Sequence, residues 1–294
     1  MKPTETSSNQ RDDSRQIINP HEYKLRMDEP QACYDAAGTP EEVFLLVLIF
    51  TVHLHTQQRK AIRETWGSPR EIKGKKVVTL FLLAQNQYAY LQQRVEKESN
   101  KHHDLLQEDF QDTYNNLTLK TIMAMKWAST HCPHASYVMK TDDDSYVSYD
   151  NLVKHLTRSP STNYAVGRLY PNAAPFRDPG HKWYMSKELY PGRVYLPYLS
   201  GAGYVISGEL TGKIYEESLQ TRYLHLEDVF VAICLKSLKV QRRNNYYFTC
   251  QRQEYSYCRF RQLISAHKLR PTEMYRIWRD QKRRRRCSLG PRRQ

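Results

Sequence analysis

Three consecutive carboxylates, Asp142-Asp143-Asp144, interrupt an otherwise apolar stretch from Tyr137 to Val147. Adjacent like charges repel unless water, a cation or a basic partner compensates them. The β-branched and aromatic residues on either side predict two short strands around an acidic turn. On an extended backbone, residues two apart share a side, so Asp142 and Asp144 can present their oxygens together. Such oxygen donors suit a hard divalent cation, Mn²⁺ or Mg²⁺. The same three letters also fit a solvated loop or a row of helix-capping acids, because short motifs match often by chance.

Other positions carry chemistry in the same double way. Arg59 and Arg63 lie four apart on a helix predicted over 57–66, so both guanidiniums share one face. That pair can hold a diphosphate or simply face water. Gly67 is read as the left-handed cap that ends this helix. Glu227-Asp228 opens an apolar helical run over 229–235. Acids in a first turn are favoured by the helix dipole, which should hold the Asp228 pKa down, and two of them there can also supply a catalytic base. His267 ends a strand predicted over 262–267; a lone histidine becomes a metal ligand only with carboxylates beside it. Residues 171–197 are rich in proline, glycine and aromatic residues. Trp183, Tyr184 and nearby Tyr198 have rings that pack on sugar faces or on one another. In Ser200-Gly201-Ala202-Gly203, the glycines let a ligand or a neighbouring backbone approach closely.

The elements that must position these groups alternate between strand and helix from residue 42. Strands are expected over 43–51, 76–84, 135–141, 164–169 and 204–207, and further helices over 88–97, 112–132, 151–156 and 271–280. The run at 43–51 is apolar throughout, as in a strand covered on both faces. In the helix over 112–132, Leu119, Met123 and Trp127 form a stripe that belongs to the core. The acidic turn falls at a strand's carboxyl end, where ligands of open α/β sheets collect.

Composition narrows the classes. A chain of 294 residues, 39% hydrophobic and 26% charged, is an ordinary globular protein. Three parts are expected: a polar leader over 1–40, one domain over 41–280 and a basic tail over 281–294. The tail carries seven cations and no acid, half of the formal net charge of +14. A nucleic-acid-binding reading of that charge finds no recognised motif to support it, so no nucleic-acid partner is expected. Six cysteines without a CxxC pair exclude a zinc ribbon, while disulfides and reduced core thiols both stay open. Asn116-Leu117-Thr118 is an N-glycosylation sequon. No apolar run approaches the roughly 18 residues that span a bilayer, so the chain reads either as cytosolic or as lacking its anchor. GxGxxG, GxxxxGK[ST], GxSxG and HExxH are absent.

Taken in order, several blocks resemble the β-1,3-galactosyltransferases and their β-1,3-N-acetylglucosaminyltransferase relatives. They are RKAIRETWG at 59–67, FLLA at 81–84, EDFQDTYNNLTLKT at 108–121, KTDDD at 140–144, YLSGAGYV at 198–205, EDVF at 227–230, and His267 before PTEM at 271–274. With WYMSKELYP at 183–191, the pattern is closer to the galactosyltransferases. The resemblance implies an α/β chain with an A-type glycosyltransferase fold, a Rossmann-like mixed sheet flanked by helices with an acceptor-binding loop region. It further implies an inverting β-1,3-galactosyltransferase, a type II Golgi membrane protein with a lumenal catalytic domain, with UDP-galactose as donor, Mn²⁺ (or Mg²⁺) as cofactor, and a glycoprotein or glycolipid glycan as acceptor. N-acetylglucosamine transfer is the alternative within the family. Carried over by position, Asp144 is the direct metal ligand, with Asp142 and His267. Asp228 is the base, beside Glu227. Arg59, Arg63, Asp112, Lys120, Asp142, Asp143, Gly201 and Gly203 fall in donor-binding blocks, and Trp183, Tyr184 and Tyr198 lie on the acceptor side. The missing membrane helix and the arginine-rich tail depart from the family pattern.

Overall fold

A computed structural model describes residues 16–283 and 285–287. In chain order the strands are β1 (Leu25–Met27), β2 (Val43–Phe50), β3 (Glu71–Ile72), β4 (Lys75–Gln85), β5 (Leu105–Gln111), β6 (Tyr137–Asp142), β7 (Tyr146–Val147), β8 (Ala165–Tyr170), β9 (Tyr198–Ser207), β10 (Arg242–Asn244), β11 (Phe248–Arg252) and β12 (Ser265–His267). The helices are α1 (Thr56–Glu64), α2 (Ala89–His102), α3 (Leu117–His131), α4 (Tyr149–Leu156), α5 (Leu210–Gln220), α6 (Glu227–Ser237), α7 (Tyr257–Phe260) and α8 (Pro271–Gln281). A nine-stranded sheet runs β1-β5-β4-β2-β6-β9-β8-β10, with β3 added to β4; a second sheet runs β11-β12-β7.

Neighbours β5, β4, β2 and β6 are parallel, as crossover helices require, whereas β9 runs antiparallel to both β6 and β8. The continuous apolar run of β2 is buried on both faces. Its alternate side chains feed two cores: Leu46 and Leu48 pack under α3 and α6, Leu45 and Val47 on the α1 and α4 side. This mixed sheet flanked by helices is the expected A-type glycosyltransferase architecture. The carboxyl ends of β2, β4 and β6 lie at one edge, where the acidic turn follows β6.

Several expectations change. No strand was anticipated between α2 and α3, yet β5 forms there; its Gln107 and Glu108 break the apolar pattern and are nevertheless buried. They are tolerated because His21 Nε2 meets Glu108 Oε2 at 2.6 Å and the Gln107 amide donates to the Ala84 carbonyl at 2.9 Å. The helix expected from residue 112 begins only at Leu117, after a short 3₁₀ turn, which leaves Asp112 at the end of a strand. The strand expected over 204–207 starts at Tyr198 and so contains both glycines. Gly67 has no left-handed backbone; an added Cβ would lie 2.6 Å from Ile62 Cγ2, so its role is close approach.

The described part of the expected leader is not loose. Its β1 pairs antiparallel with β5, and Cys33 is joined to Cys132 at the end of α3. A second disulfide, Cys258–Cys287, holds residues just past α8, while Cys234 and Cys250 are free. Residues 1–15, 284 and 288–294 of the expected leader and tail lie outside the described residues. The Cys33–Cys132 bridge spans 99 residues. Replacing both cysteines by alanine is expected to cost about 4 kcal/mol through the greater entropy of the unfolded chain. A urea melt reads this as a lowered midpoint; an unchanged midpoint would contradict it.

Candidate active site

The acidic turn divides its three carboxylates between two directions. Asp143 points inward and is buried, accepting from Thr51 Oγ1 at 2.5 Å and from His55 Nδ1 at 2.8 Å. Both partners come from the end of β2 and the loop after it, so Asp143 fastens the turn to the sheet. Asp142 and Asp144 point outward, as the spacing of two requires.

His267 reaches them through strand register. In the second sheet Ser265 pairs with Val147 and Ala266 with Tyr146, and the Leu269 amide donates to the Asp144 carbonyl at 2.8 Å. The histidine therefore lies over the turn, its Nε2 2.8 Å from Asp144 Oδ1 and 3.5 Å from Asp142 Oδ2. Its Nδ1 faces the Cys250 carbonyl at 3.1 Å. A carbonyl only accepts, so Nδ1 carries the proton and Nε2 is the nitrogen turned to the carboxylates. One ligand atom from each of Asp142, Asp144 and His267 lies within 4.8 Å of the others. Asp144 Oδ1 is shielded from solvent and accepts no aligned hydrogen bond. Two carboxylate oxygens and an imidazole nitrogen this close together fit a divalent cation. Burial opposes charge on His267, yet the two carboxylates raise its pKa to about 10, and that negative field is what a cation would meet in the proton's place.

The second acidic pair splits as well. Glu227 is buried, with Oε1 3.1 Å from Lys140 Nζ and Oε2 accepting from Thr121 and Tyr204 hydroxyls at 3.3 and 3.4 Å. Burial lifts its carboxyl to about 7 against the pull of Lys140. It faces the interior of the fold, which argues against a base at this position. Asp228 is turned the other way: Oδ2 accepts from the Gly201 amide at 3.2 Å and Oδ1 from the Val229 amide at 2.9 Å. Burial raises the Asp228 pKa, although these amides and Lys140 oppose it. This reverses the expectation from the helix dipole, since loss of solvent outweighs the first-turn amides. A raised pKa makes a stronger base.

Gly201 has no room for a side chain, because a Cβ there would lie 2.5 Å from Glu227 Oε1. Gly203 pairs with Thr141, and a Cβ there would make ordinary contacts. Space therefore demands glycine only at the first. Asp112, at the end of β5, accepts from Lys120 Nζ at 2.8 Å and from the Ala84 amide at 3.0 Å; Lys120 also donates to the Thr51 carbonyl. That pair joins the carboxyl ends of β2, β4 and β5.

The two arginines do not form a free clamp. Arg59 is fully buried, bonded to both oxygens of Glu98 and to the Val52 carbonyl, so it braces the loop carrying His55. Arg63 pairs with Glu98 and Asp104 and stacks over Phe81, away from the acidic turn. Their shared helical face was legible, but two partner carboxylates on and just after α2 were not.

Aromatic residues frame Asp228. Trp183 Nε1 donates to the Tyr114 hydroxyl at 2.8 Å, and burial together with the charges of Asp228, Glu227 and Asp142 raises the Tyr114 pKa. Tyr198 stacks on Tyr170 at 5.3 Å, and burial and Asp228 raise its phenol. Tyr184 is half-buried, its amide donating to the His181 carbonyl at 2.9 Å in a turn of this loop. Arg177 organises this loop by donating to the Met185, Tyr190 and Gly192 carbonyls. Asn116 is half-buried, its amide nitrogen donating to the Gln111 carbonyl, and Thr118 is buried.

Comparison with known proteins bears on what these residues do. The galactosyltransferase family model matches residues 57–246. The chain belongs to the galactosyltransferase family. β-1,3-Galactosyltransferase 1 of Mus musculus is 46% identical over 266 residues, covering 90% of this chain and 80% of that protein. The Homo sapiens protein of the same name gives the same figures. β-1,3-Galactosyltransferase 2 of Mus musculus is 40% identical over 268 residues, 88% of this chain and 62% of that one. The chain is accordingly a hexosyltransferase. Three residues at the centre of this candidate site escaped sequence reasoning: Thr51, His55 and Lys140. Only a lysine inside an otherwise buried strand was a visible signal.

Proposed function

We propose that this galactosyltransferase moves galactose from UDP-galactose to a hydroxyl of a glycan acceptor, in β-1,3 linkage and with inversion. The observation that carries the reading is the pairing of an Asp-Asp-His group at the end of β6 with a separate carboxylate, Asp228, set among aromatic rings. Asp142, Asp144 and His267 would hold Mn²⁺, or Mg²⁺ in its place. When bound, such an ion supplies positive charge to the diphosphate leaving group.

The remaining steps belong to the chain. Asp228 accepts the proton of the acceptor hydroxyl as its oxygen bonds the anomeric carbon, and the bond from that carbon to the β-phosphate oxygen breaks, releasing UDP. Glu227 faces inward and offers no second outward carboxylate as a nucleophile, so a single displacement turns an α-linked donor into a β-linked product. Asp112 and Lys120 lie along the strand ends where the nucleotide would rest. Trp183 and Tyr198 would shape the acceptor side, with Tyr184 supporting the loop behind them. The acceptor is taken to be a glycoprotein or glycolipid glycan. Two disulfides favour an oxidising compartment, in keeping with the Golgi lumen. No helix among the described residues is long and apolar enough to cross a membrane.

A panel of UDP-sugars offered with Mn²⁺ and simple β-linked acceptors tests the reading. UDP-galactose should be consumed, with a β-1,3 product, and chelation should stop the reaction. Preferential use of UDP-N-acetylglucosamine would overturn the donor assignment.

A further inference from the structure

We infer that Lys140 is a positioning residue of this site, the cation that locks the acidic turn and the base-bearing helix at one spacing. Lys140 is buried, only 2% exposed, two residues before Asp142 on the same face of β6. Its ammonium touches Asp142 Oδ1 at 2.8 Å, Glu227 Oε1 at 3.1 Å and the Gly201 carbonyl, and lies 4.7 Å from the centre of the Phe50 ring. It donates to two acceptors, Asp142 on β6 and the Gly201 carbonyl on β9, and forms an ion pair with Glu227 on α6, so one cation ties three elements together.

Two of these contacts lead directly to the reacting groups. Asp142 belongs to the Asp-Asp-His group, and its Oδ1 is occupied by Lys140, so Oδ2 is the oxygen turned toward His267. Gly201, held through its carbonyl by Lys140, gives its amide to Asp228 Oδ2. Lys140 therefore sets where Asp228 stands relative to Asp142 without touching a substrate. Stability alone does not call for this arrangement, since apolar side chains of similar volume commonly replace buried ion pairs without loss. The lysine also balances negative charge beside the cation site, so it weakens cation binding while it aligns the base.

That opposition separates positioning from mere support. The inference rests on the proposed roles of Asp142 and Asp228. Lys140→Met keeps an unbranched side chain, one atom shorter, and removes the charge. Mn²⁺ binding, titrated on protein without donor, should tighten about fivefold or more as a like charge leaves. The kcat for transfer should fall on the order of 100-fold, with donor KM changed by less than about threefold. Should Lys140→Met fail to fold, Lys140→Met/Glu227→Gln removes one buried charge of each sign, so its Mn²⁺ affinity should stay within about threefold of the parent's while kcat still falls on the order of 100-fold. Mn²⁺ affinity falling in step with kcat, or transfer within about threefold of the parent, would overturn the role. Absence of transfer by the parent enzyme would instead overturn the proposed reaction, and the Mn²⁺ titration would still decide the role of Lys140.

Discussion

Asp228→Asn is expected to lower kcat for transfer by about 10²- to 10⁴-fold, the usual contribution of a positioned general base. Asparagine keeps the shape of the side chain and one oxygen for the Gly201 amide, losing only the local contact to the Val229 amide, so the fold and the binding of donor should persist. What disappears is a carboxylate whose basicity burial has raised and whose charge is felt by Tyr198 and by Tyr114, the partner of Trp183, on the side proposed for the acceptor. Initial rates at saturating donor, together with a direct measurement of UDP binding, check the two halves separately. Transfer at near the parent rate would sink the assignment. Glu227→Gln is not an equivalent experiment, because Glu227 is tied to Lys140, Thr121 and Tyr204 inside the protein.

Asp144→Ala should abolish Mn²⁺-dependent transfer and leave the fold intact. The Asp144 side chain is 39% exposed, and its described polar neighbour is His267. The backbone bond from the Leu269 amide to the Asp144 carbonyl survives the substitution. Loss of stability should therefore stay below about 1 kcal/mol, as for other surface changes. A Mn²⁺ titration of the variant, with circular dichroism as the control, reads both outcomes. A response to Mn²⁺ equal to the parent's would remove Asp144 from the cation site. His267 is the second test of the same group. Its neutral partner atom, the Cys250 carbonyl, fixes which nitrogen is free, so His267→Gln should weaken Mn²⁺ binding less completely than Asp144→Ala.

Much of this architecture was legible in the chain. The uninterrupted apolar run of β2 could be covered only on both faces, and the alternation of such runs with helical stripes required crossovers and a largely parallel sheet. The spacing of Asp142 and Asp144 already placed their oxygens on one side. The strand β5 was not legible, because Gln107 and Glu108 break the apolar pattern and are made tolerable by His21 and Ala84, distant in sequence. Arg63 illustrates the opposite error: its helical face was correctly read, but Glu98 and Asp104 neutralise it.

By itself, then, the sequence determined the fold class, the edge of the sheet at which the site lies, and the set of acids from which the site is built. These depend on periodicity and local geometry, which act over a few residues. Only the tertiary structure decided the division of labour among those acids. Asp143 and Glu227 turned inward because Thr51, His55, Lys140, Thr121 and Tyr204 met them there, while Asp142 and Asp144 were left toward His267 and Asp228 on the Gly201 and Val229 amides. The same holds for His267, which reached the acidic turn through the pairing of β12 with β7. The charge on a carboxylate is local, but its pKa and its partner are set by whatever the fold packs against it.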